Sequence, residues 1–405
     1  MRKKYFIIFL YFISSFVYSQ RVSEDLVPQR IILNLTPEPA TSIAVTWRSL
    51  SEANNPKVQI AESTQWISFK QKVTEINATE ERFITDKSQE VFHYSVVIKN
   101  LFPNTMYVYR VGSDSIWSEW NQFTTADSKN TPFKFVYLGD PQNDLKEHCS
   151  RVFREAYKYS PDANFWLIGG DLVTDPYDDL WGEFFYAAGF IPRVIPLIAA
   201  PGNHDHSRVF IDGKWRRSKE IASTWLAHFT LPENGPENFK ETSYYLNYQG
   251  TRFVIINSQA NVEEQTQWLE NILAENSNKW TVVCFHHPIY SSGSERDDQK
   301  TRNAFQQIFD KYSVDLVLTG HDHTYARSKK IFNGKAVADN KKGTVYVVSV
   351  SGPKAYPLGN KYDDLMVKTG ENVQLFQVIE INEKKIDYKS YTVNGQLYDS
   401  LELTK

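Results

Sequence analysis

The chain has 405 residues, of which 41% are hydrophobic and 14% aromatic, and its formal net charge at pH 7 is −3. This length exceeds one ordinary domain, and the composition is typical of a globular protein and excludes a disordered one. The mildly negative charge excludes a basic surface that would grip nucleic acid, so we expect no nucleic acid polymer as a partner.

The first 19 residues have the pattern of an export signal. Basic residues 2–4 precede an apolar stretch over 5–17, and small residues follow where a signal peptidase cleaves. The stretch is shorter than the roughly 20 residues that a bilayer span needs, which favours cleavage over an uncleaved anchoring helix. We therefore predict a signal peptide over 1–19, an exported protein that is periplasmic or secreted, and no membrane span after cleavage.

Residues 27–127 alternate short apolar segments with clusters of Pro, Asn and Ser. This spacing predicts an all-β sandwich of about a hundred residues. The stretch from Leu101 to Gly112 places alternate residues on one face, and it resembles the corner of fibronectin type III domains in which a tyrosine pins the connection between sheets. We therefore expect an N-terminal fibronectin type III-like sandwich.

Residues 131–400 change to buried strands that alternate with helices. Apolar runs predict strands at 133–138, 165–168, 194–199, 253–256, 282–285 and 316–318. Helical patterns lie between them at 145–159, 262–275 and 301–312. This alternation predicts an α/β domain with helices outside the sheet, and further strands close the domain after residue 344.

Oxygen and nitrogen ligands follow the ends of these strands, where open α/β sheets gather their functional loops. Asp140 and Asp171 each follow a glycine after a strand. Two carboxylates at one sheet edge repel each other, and a cation between them relieves that repulsion. One carboxylate can bridge two metals, and we assign that role to Asp171. Asn203 adds a neutral amide oxygen, which leaves the metals acidic enough to activate water.

Histidines complete the predicted site. His286 ends a strand, and His321 and His323 are two residues apart, so that each can reach one metal. His204 follows Asn203 directly and is expected to face the substrate, with Asp205 placed to orient its ring. Together with the carboxylates, these residues predict a site for two metal ions.

Five ordered motifs carry a family resemblance. They are Gly139-Asp140-Pro141-Gln142, Gly170-Asp171, Gly202-Asn203-His204-Asp205, Val283-Cys284-Phe285-His286 and Gly320-His321-Asp322-His323. The set resembles the calcineurin-like metallophosphoesterases, and with the preceding β domain it resembles the purple acid phosphatases in particular. The resemblance implies a four-layer α/β sandwich for residues 131–400 and the hydrolysis of phosphate esters.

The resemblance also implies which residues hold which metal. The implied ligands are Asp140, Asp171 and His323 for the first metal, and Asp171, Asn203, His286 and His321 for the second. A hydroxide between the metals is then expected to attack phosphorus in line with the leaving oxygen. His204, backed by Asp205, is expected to assist departure of that oxygen.

Two positions depart from the purple pattern. Thr174 stands where the purple enzymes have a tyrosine ligand, so we expect a protein that is not purple. Without that ligand the preference for ferric iron weakens, and iron, zinc and manganese all remain open as the metals. Gln142 stands where many non-purple relatives have a histidine ligand. It can supply an amide oxygen to the first metal or only hydrogen-bond nearby, and the sequence leaves both open.

Substrate contacts are less defined. Purple enzymes carry substrate-binding histidines shortly after the fourth motif, where this chain has only His287, and Arg296 follows in the later region as a possible phosphate clamp. We expect a phosphomonoesterase of the acid phosphatase type acting on a small phosphorylated substrate, with a phosphodiesterase or nucleotide hydrolase as the alternative. A hypothesis of another class is a surface binding protein with a vestigial phosphoesterase domain. The sequence leaves the oligomeric state open.

Overall fold

The computed structural model describes residues 24–114 and 116–405. The predicted signal peptide over 1–19 lies outside these residues, so it stays a prediction. Within the described ranges, no helix combines the length and the apolar character that a bilayer crossing requires.

The first part of the chain is the predicted all-β domain. Its strands are β1 (Gln29–Asn34), β2 (Ile43–Ser49), β3 (Lys57–Glu62), β4 (Thr74–Asn77), β5 (Thr79–Ile84), β6 (Glu90–Ile98), β7 (Met106–Ser113), β8 (Ile116–Trp117) and β9 (Asn121–Thr124). One layer has the order β1-β2-β6-β5, and the other has the order β4-β3-β7-β8 with β9 beside β7. The hydroxyl of Tyr107 accepts a hydrogen bond from the backbone N–H of Phe102 at 2.9 Å, which pins the corner between the layers.

The remaining chain alternates strands and helices. Its strands are β10 (Phe133–Leu138), β11 (Phe165–Ile168), β12 (Leu197–Ala199), β13 (His206–Ile211), β14 (Lys214–Ile221), β15 (Tyr244–Tyr248), β16 (Thr251–Ile255), β17 (Trp280–Cys284), β18 (Leu316–Thr319), β19 (Tyr325–Ser328), β20 (Ile331–Phe332), β21 (Lys335–Ala336), β22 (Val345–Val348), β23 (Met366–Gly370), β24 (Leu375–Ile381), β25 (Lys385–Thr392) and β26 (Leu397–Thr404). Its helices are α1 (Ser150–Tyr159), α2 (Asp178–Ala188), α3 (Ile191–Val194), α4 (Ser223–His228), α5 (Thr266–Ala274) and α6 (Gln299–Tyr312).

Two facing sheets with helices outside form the α/β domain. One sheet contains β26-β25-β24-β10-β11-β12, and the other has the order β15-β16-β17-β18-β22-β19-β23. The rings of Phe135 and Phe253 meet edge to face across the two sheets, with centroids 5.3 Å apart. Outside them, Phe153 of α1 stacks on Trp166 of β11 at 5.6 Å, and α6 packs on the second sheet. This is the four-layer sandwich that the family resemblance implies.

The sheets of the two domains are continuous, which the sequence did not predict. Strand β1 pairs in parallel with β12, so the first N-terminal layer extends the first catalytic sheet to ten strands. The side-chain amide of Asn34 also donates to the carbonyl of Leu197 at 2.8 Å. The N-terminal domain therefore buttresses the strand that leads to the predicted ligand Asn203.

A buried ion cluster also joins the two domains. Asp178, at the start of α2, accepts hydrogen bonds from Arg30 at 2.8 Å and from Arg48 at 2.7 Å, and both arginines lie on N-terminal strands. Burial lowers the pKa of Arg30 to about 10, so this arginine stays charged at neutral pH. Removing one partner from such a cluster typically costs about 3–5 kcal/mol. The cluster therefore fixes the start of α2 against the N-terminal strands.

Candidate metal centre

The ends of five parallel strands bring the predicted ligands together. Strands β10, β11 and β12 are adjacent and parallel, and β17 and β18 are adjacent and parallel in the facing sheet. Parallel strands present their carboxyl ends at the same edge, so the loops that follow them converge there. These loops carry Asp140, Asp171, Asn203, His286, His321 and His323.

The first group contains Asp140, Asp171 and His323. Their ligand atoms lie within 4.8 Å of one another, and all three side chains are buried. Oδ1 of Asp140 is 3.8 Å from Nε2 of His323 and has no hydrogen-bond partner among the described residues. The amide of Gln142 lies beside the same atoms, with Nε2 at 2.9 Å from Oδ2 of Asp171 and 3.2 Å from Nε2 of His323.

The second group surrounds Nε2 of His286. The other ring nitrogen of His286 donates to the carbonyl of Gly169 at 2.9 Å, so Nε2 is the nitrogen that faces the other ligand atoms and would bind a metal in place of its proton. This Nε2 lies 3.2 Å from Oδ2 of Asp171, 3.1 Å from Oδ1 of Asn203 and 3.2 Å from Nδ1 of His321. Asp171 therefore belongs to both groups, which is the position that a bridging carboxylate needs.

The backbone is strained at these ligands. Asp140, Asp171, His321 and His323 have φ angles of 42°, 52°, 71° and 49°, in the left-handed region that non-glycine residues rarely adopt. Such conformations cost on the order of 1–3 kcal/mol each and cluster at functional sites. Gly320 allows the closest approach, because a Cβ at this position would overlap the carboxylate of Asp140. The neighbouring glycine thus brings the two motifs into contact.

The electrostatic field favours a cation between the groups. Burial raises the pKa of Asp140 well above its usual range, and repulsion from Asp171 adds to the effect. Burial alone would lower the pKa of His286, but the carboxylates of Asp171 and Asp140 outweigh it and raise this pKa to about 10. Burial and the neighbouring His286 lower the pKa of His287 to about 3, so that ring stays neutral. The carboxylates of Asp140 and Asp171 attract positive charge. The neutral imidazole of His287 does not supply it.

His204 lies at the rim of the centre. Its backbone N–H donates to Oδ1 of Asp171 at 2.7 Å, which ties it to the second group. Its ring Nδ1 contacts the carbonyl of Thr174, and a guanidinium nitrogen of Arg217 lies 2.7 Å from the same Nδ1. Because Nδ1 is engaged, Nε2 is the ring nitrogen available to a substrate.

The prediction that Asp205 orients the ring of His204 is wrong. The carboxylate of Asp205 accepts hydrogen bonds from the backbone N–H of Gly202 at 2.8 Å and of Leu172 at 3.1 Å. Asn203 to Asp205 form one turn of 3₁₀ helix, in which successive side chains point about 120° apart. Asp205 therefore turns away from its neighbour and holds together the loops that carry Asp171 and Asn203. Burial and repulsion from Asp171 raise its pKa to about 7.

Thr174 does not point its hydroxyl at the predicted ligands. This hydroxyl accepts a hydrogen bond from the backbone N–H of Asn143 at 3.1 Å. The backbone carbonyl of Thr174 instead contacts His204 and accepts from Arg217 at 2.8 Å. Thus the chain has no phenol at the position of the purple-type tyrosine.

The other two predicted substrate contacts, His287 and Arg296, lie on the side of His321. The ring of His287 lies 4.3 Å from the ring of His321, and its Nδ1 is 2.9 Å from the hydroxyl of Ser258. Arg296 donates to the backbone carbonyl of His321 at 3.0 Å, and its guanidinium covers the ring of Tyr356 at 4.5 Å. Arg296 thus supports the loop of His321, and a quarter of its side chain remains exposed.

Lys354 is a cation beside the centre that none of the five sequence motifs contains. Its charge lowers the pKa of His204 and of His323 in addition to the larger effect of burial, and the ring of Tyr356, which it contacts, packs edge to face on His323 with centroids 5.2 Å apart. Its ammonium group lies 5.0 Å from the ring of Tyr356, and it forms no ion pair with an acid among the described residues. The position of Lys354 in the sequence could have indicated it, because Lys354 follows the carboxyl end of β22, which is parallel to β18.

The donor set fits metal ions. Two carboxylates, an amide oxygen and imidazole nitrogens converge here, with the ligand atoms of Asp140, Asp171 and His323 within 4.8 Å of one another, and Oε1 of Gln142 and Oδ1 of Asp140 lack hydrogen-bond partners within the described ranges. Oxygen and imidazole donors without thiolate suit hard or borderline metals such as iron, zinc and manganese.

Comparison with known proteins agrees with this site. Residues 28–125 match the family model described as the purple acid phosphatase N-terminal domain, and residues 133–325 match the calcineurin-like phosphoesterases. "Probable purple acid phosphatase 20" of Arabidopsis thaliana is 29% identical over 66% of this chain, but the match covers only 62% of that relative. "Acid phosphatase type 7" of Mus musculus is 24% identical over 80% of this chain and 77% of its own length.

A solved structure has the same fold. A purple acid phosphatase from yellow lupin seeds (Lupinus luteus) superposes with a TM-score of 0.78 over 93% of this chain and 74% of its own, at 19% identity. The likeness covers both domains, in the order that the sequence predicts. The chain belongs to the calcineurin-like metallophosphoesterases, as a purple acid phosphatase-like member that has Thr174 in place of the purple-type tyrosine.

Proposed function

We propose that the chain is a metal-dependent phosphomonoesterase with a dinuclear centre. The observation that carries this proposal is that the buried Asp171 adjoins both ligand groups, because it lies beside Asp140 and His323 and its Oδ2 is 3.2 Å from Nε2 of His286. Asp140, Asp171 and His323 would hold one ion, with Gln142 beside it. Asp171, Asn203, His286 and His321 would hold the other. Two such ions lower the pKa of a bound water and neutralise the oxygens of a phosphoryl group.

The residues around the centre would bind the substrate and protonate its leaving oxygen. In its protonated form, His204 would donate the Nε2 proton to the leaving oxygen while its Nδ1–H donates to the carbonyl of Thr174, which Arg217 also contacts. Because burial lowers the pKa of this ring, acidic pH favours the donating form. Lys354 adds an unpaired positive charge close to His204 and His323. A phosphomonoester carries up to two negative charges and a diester only one, so this cation favours the monoester over the alternative diesterase.

Rates on matched substrates test the proposal. The full chain, loaded with zinc, manganese or ferrous iron, is expected to hydrolyse p-nitrophenyl phosphate at least tenfold faster than bis(p-nitrophenyl) phosphate, since roughly 1.4 kcal/mol of charge attraction gives a factor of ten. A chelator should abolish the activity, and metal should restore it. Faster hydrolysis of the diester would favour the phosphodiesterase, and no hydrolysis with any metal would favour the vestigial domain.

We also propose that the enzyme acts after export. This proposal rests on the basic and apolar pattern of residues 1–19 alone. N-terminal sequencing of the protein from its native source should then begin close to residue 20. A mature protein that retains Arg2 would overturn the proposal.

A further inference from the structure

A two-stranded hairpin emerges beside the metal centre. It consists of β13 (His206–Ile211) and β14 (Lys214–Ile221), and in the described part of the chain these strands pair only with each other. It begins one residue after Asp205, so its base is fixed to the ligand loops. Its outer part exposes two large aromatic side chains, Phe210 (61% exposed) and Trp215 (60%). Adjacent exposed aromatic side chains of this kind are typical of an interaction site.

The pairing register puts aromatic and cationic residues on one face. Arg208 lies opposite Arg217, and Phe210 lies opposite Trp215. Directly opposed residues of an antiparallel pair project to the same side, and residues two apart on a strand also share a side. The four side chains therefore line one face, which we call the Arg-Trp face. Their contacts agree, because Arg208 covers the ring of Trp215 at 5.6 Å and the rings of Phe210 and Trp215 lie 5.3 Å apart.

The Arg-Trp face is directed to the metal centre. Arg217 is 2.7 Å from Nδ1 of His204 and donates to the carbonyl of Thr174 at 2.8 Å. Arg208 and Arg217 both pair with Asp175, at 3.3 Å and 2.7 Å. The cationic end of the face thus adjoins the residue that we assign to the leaving oxygen. Since a strand rises about 3.3 Å per residue, the aromatic pair lies roughly 7 Å further out.

We propose that the Arg-Trp face binds the base of a nucleoside phosphate whose phosphoryl group occupies the metal centre. The phosphate then lies at the cationic end, the sugar spans the gap, and the base stacks on Trp215 and Phe210. Aromatic side chains stack on any base, and the neighbouring guanidinium of Arg208 complements a substrate that is both anionic and aromatic. This inference rests on the proposed function and names the substrate class of the same site.

The test compares two substrates that differ only in the base. Adenosine 5′-monophosphate and ribose 5-phosphate carry the same phosphoryl ester, so the ratio of their kcat/KM values reports the base alone. Base stacking contributes about 1–3 kcal/mol by alanine substitution, so Trp215→Ala should lower this ratio by roughly tenfold or more. Trp215→Phe keeps an aromatic face and should restore most of the ratio.

Ile211→Ala provides the matched control. Ile211 is exposed (48%) on the same hairpin, but it lies opposite Lys214 on the other face, so its loss should leave the ratio at the wild-type value. Binding of the phosphonate analogue of adenosine monophosphate, measured by calorimetry, gives a second readout without turnover. Its Kd should rise about tenfold in Trp215→Ala and not in Ile211→Ala.

The outcomes separate this inference from the proposed function. If both esters are hydrolysed and Trp215→Ala leaves their ratio and the analogue's Kd unchanged, the base site is wrong and the phosphomonoesterase stands. If Ile211→Ala lowers the ratio as much as Trp215→Ala, the Arg-Trp face is not the binding surface. If the wild type hydrolyses neither ester and does not bind the analogue, both proposals fail.

Discussion

Replacing Asp171 by asparagine is expected to lower kcat/KM for p-nitrophenyl phosphate by roughly a thousandfold or more. Asp171 belongs to both ligand groups, with Oδ2 at 3.2 Å from Nε2 of His286 and Oδ1 accepting from the backbone N–H of His204. Asparagine keeps the shape but removes the negative charge that attracts both cations. Metal ions supply several kcal/mol of transition-state stabilisation, and about 1.4 kcal/mol corresponds to a factor of ten in rate.

The matched control is an exposed aspartate of the same domain. Asp162 pairs with Lys134 at the surface, far from the ligand loops in the fold, and its side chain is 67% exposed. Asp162→Asn should therefore keep the wild-type rate and metal content. Wild-type activity in Asp171→Asn would show that the bridging role is wrong.

His204→Ala is expected to slow the hydrolysis of an alkyl phosphate by about 10²–10⁴-fold, the usual contribution of a positioned proton donor. The effect on p-nitrophenyl phosphate should be much smaller, because nitrophenolate leaves without protonation. Alanine retains the backbone N–H that binds Asp171, so the metal ligands should keep their positions. Steady-state rates on glycerol phosphate and on p-nitrophenyl phosphate measure the difference.

An equal loss on both substrates would contradict proton donation by His204. It would indicate instead that the ring acts on the phosphoryl group and not on the leaving oxygen. A loss restricted to KM would give the same conclusion. Metal content of the variant should match the wild type in either case, because the imidazole belongs to neither ligand group.

The convergence of the ligand loops could be predicted because each loop is recognised from a short sequence segment. Asp140, Asp171 and Asn203 each follow a short apolar run and a glycine, and adjacent parallel strands must end at one edge of a sheet. The strand ends therefore indicate which side chains meet, even without knowledge of the sheet order. The strained φ angles of Asp140 and Asp171 could not be predicted, because they depend on contacts with the facing sheet.

The predicted role of Asp205 was wrong because residues that are adjacent in sequence often do not contact each other through their side chains. In the turn of Asn203 to Asp205, neighbouring side chains diverge, and the backbone amides of two loops are better partners for a buried carboxylate. The ring of His204 is oriented by the backbone carbonyl of Thr174, 30 residues earlier, to which Arg217 also donates. A hydrogen bond to a backbone carbonyl cannot be predicted from the order of side chains in the sequence.

The hairpin could have been predicted from one signal. Residues 207–225 have polar side chains on both faces, so their alternation is weak, but Asp212-Gly213 is a strong two-residue hairpin turn. The continuity of the sheets through Asn34 and Leu197 had no comparable signal. It joins residues that are far apart in sequence, and local patterns do not specify such pairs.

Elemental analysis of the purified full chain, after incubation with zinc, manganese or ferrous iron and removal of free metal, measures the dinuclear centre directly. We expect about two metal ions per chain in the wild type and in Asp162→Asn, and about one or fewer in Asp171→Asn, because the shared carboxylate serves both ions. A wild-type chain that retains no metal, or one whose metal content is unaffected by Asp171→Asn, would contradict a centre built on Asp171.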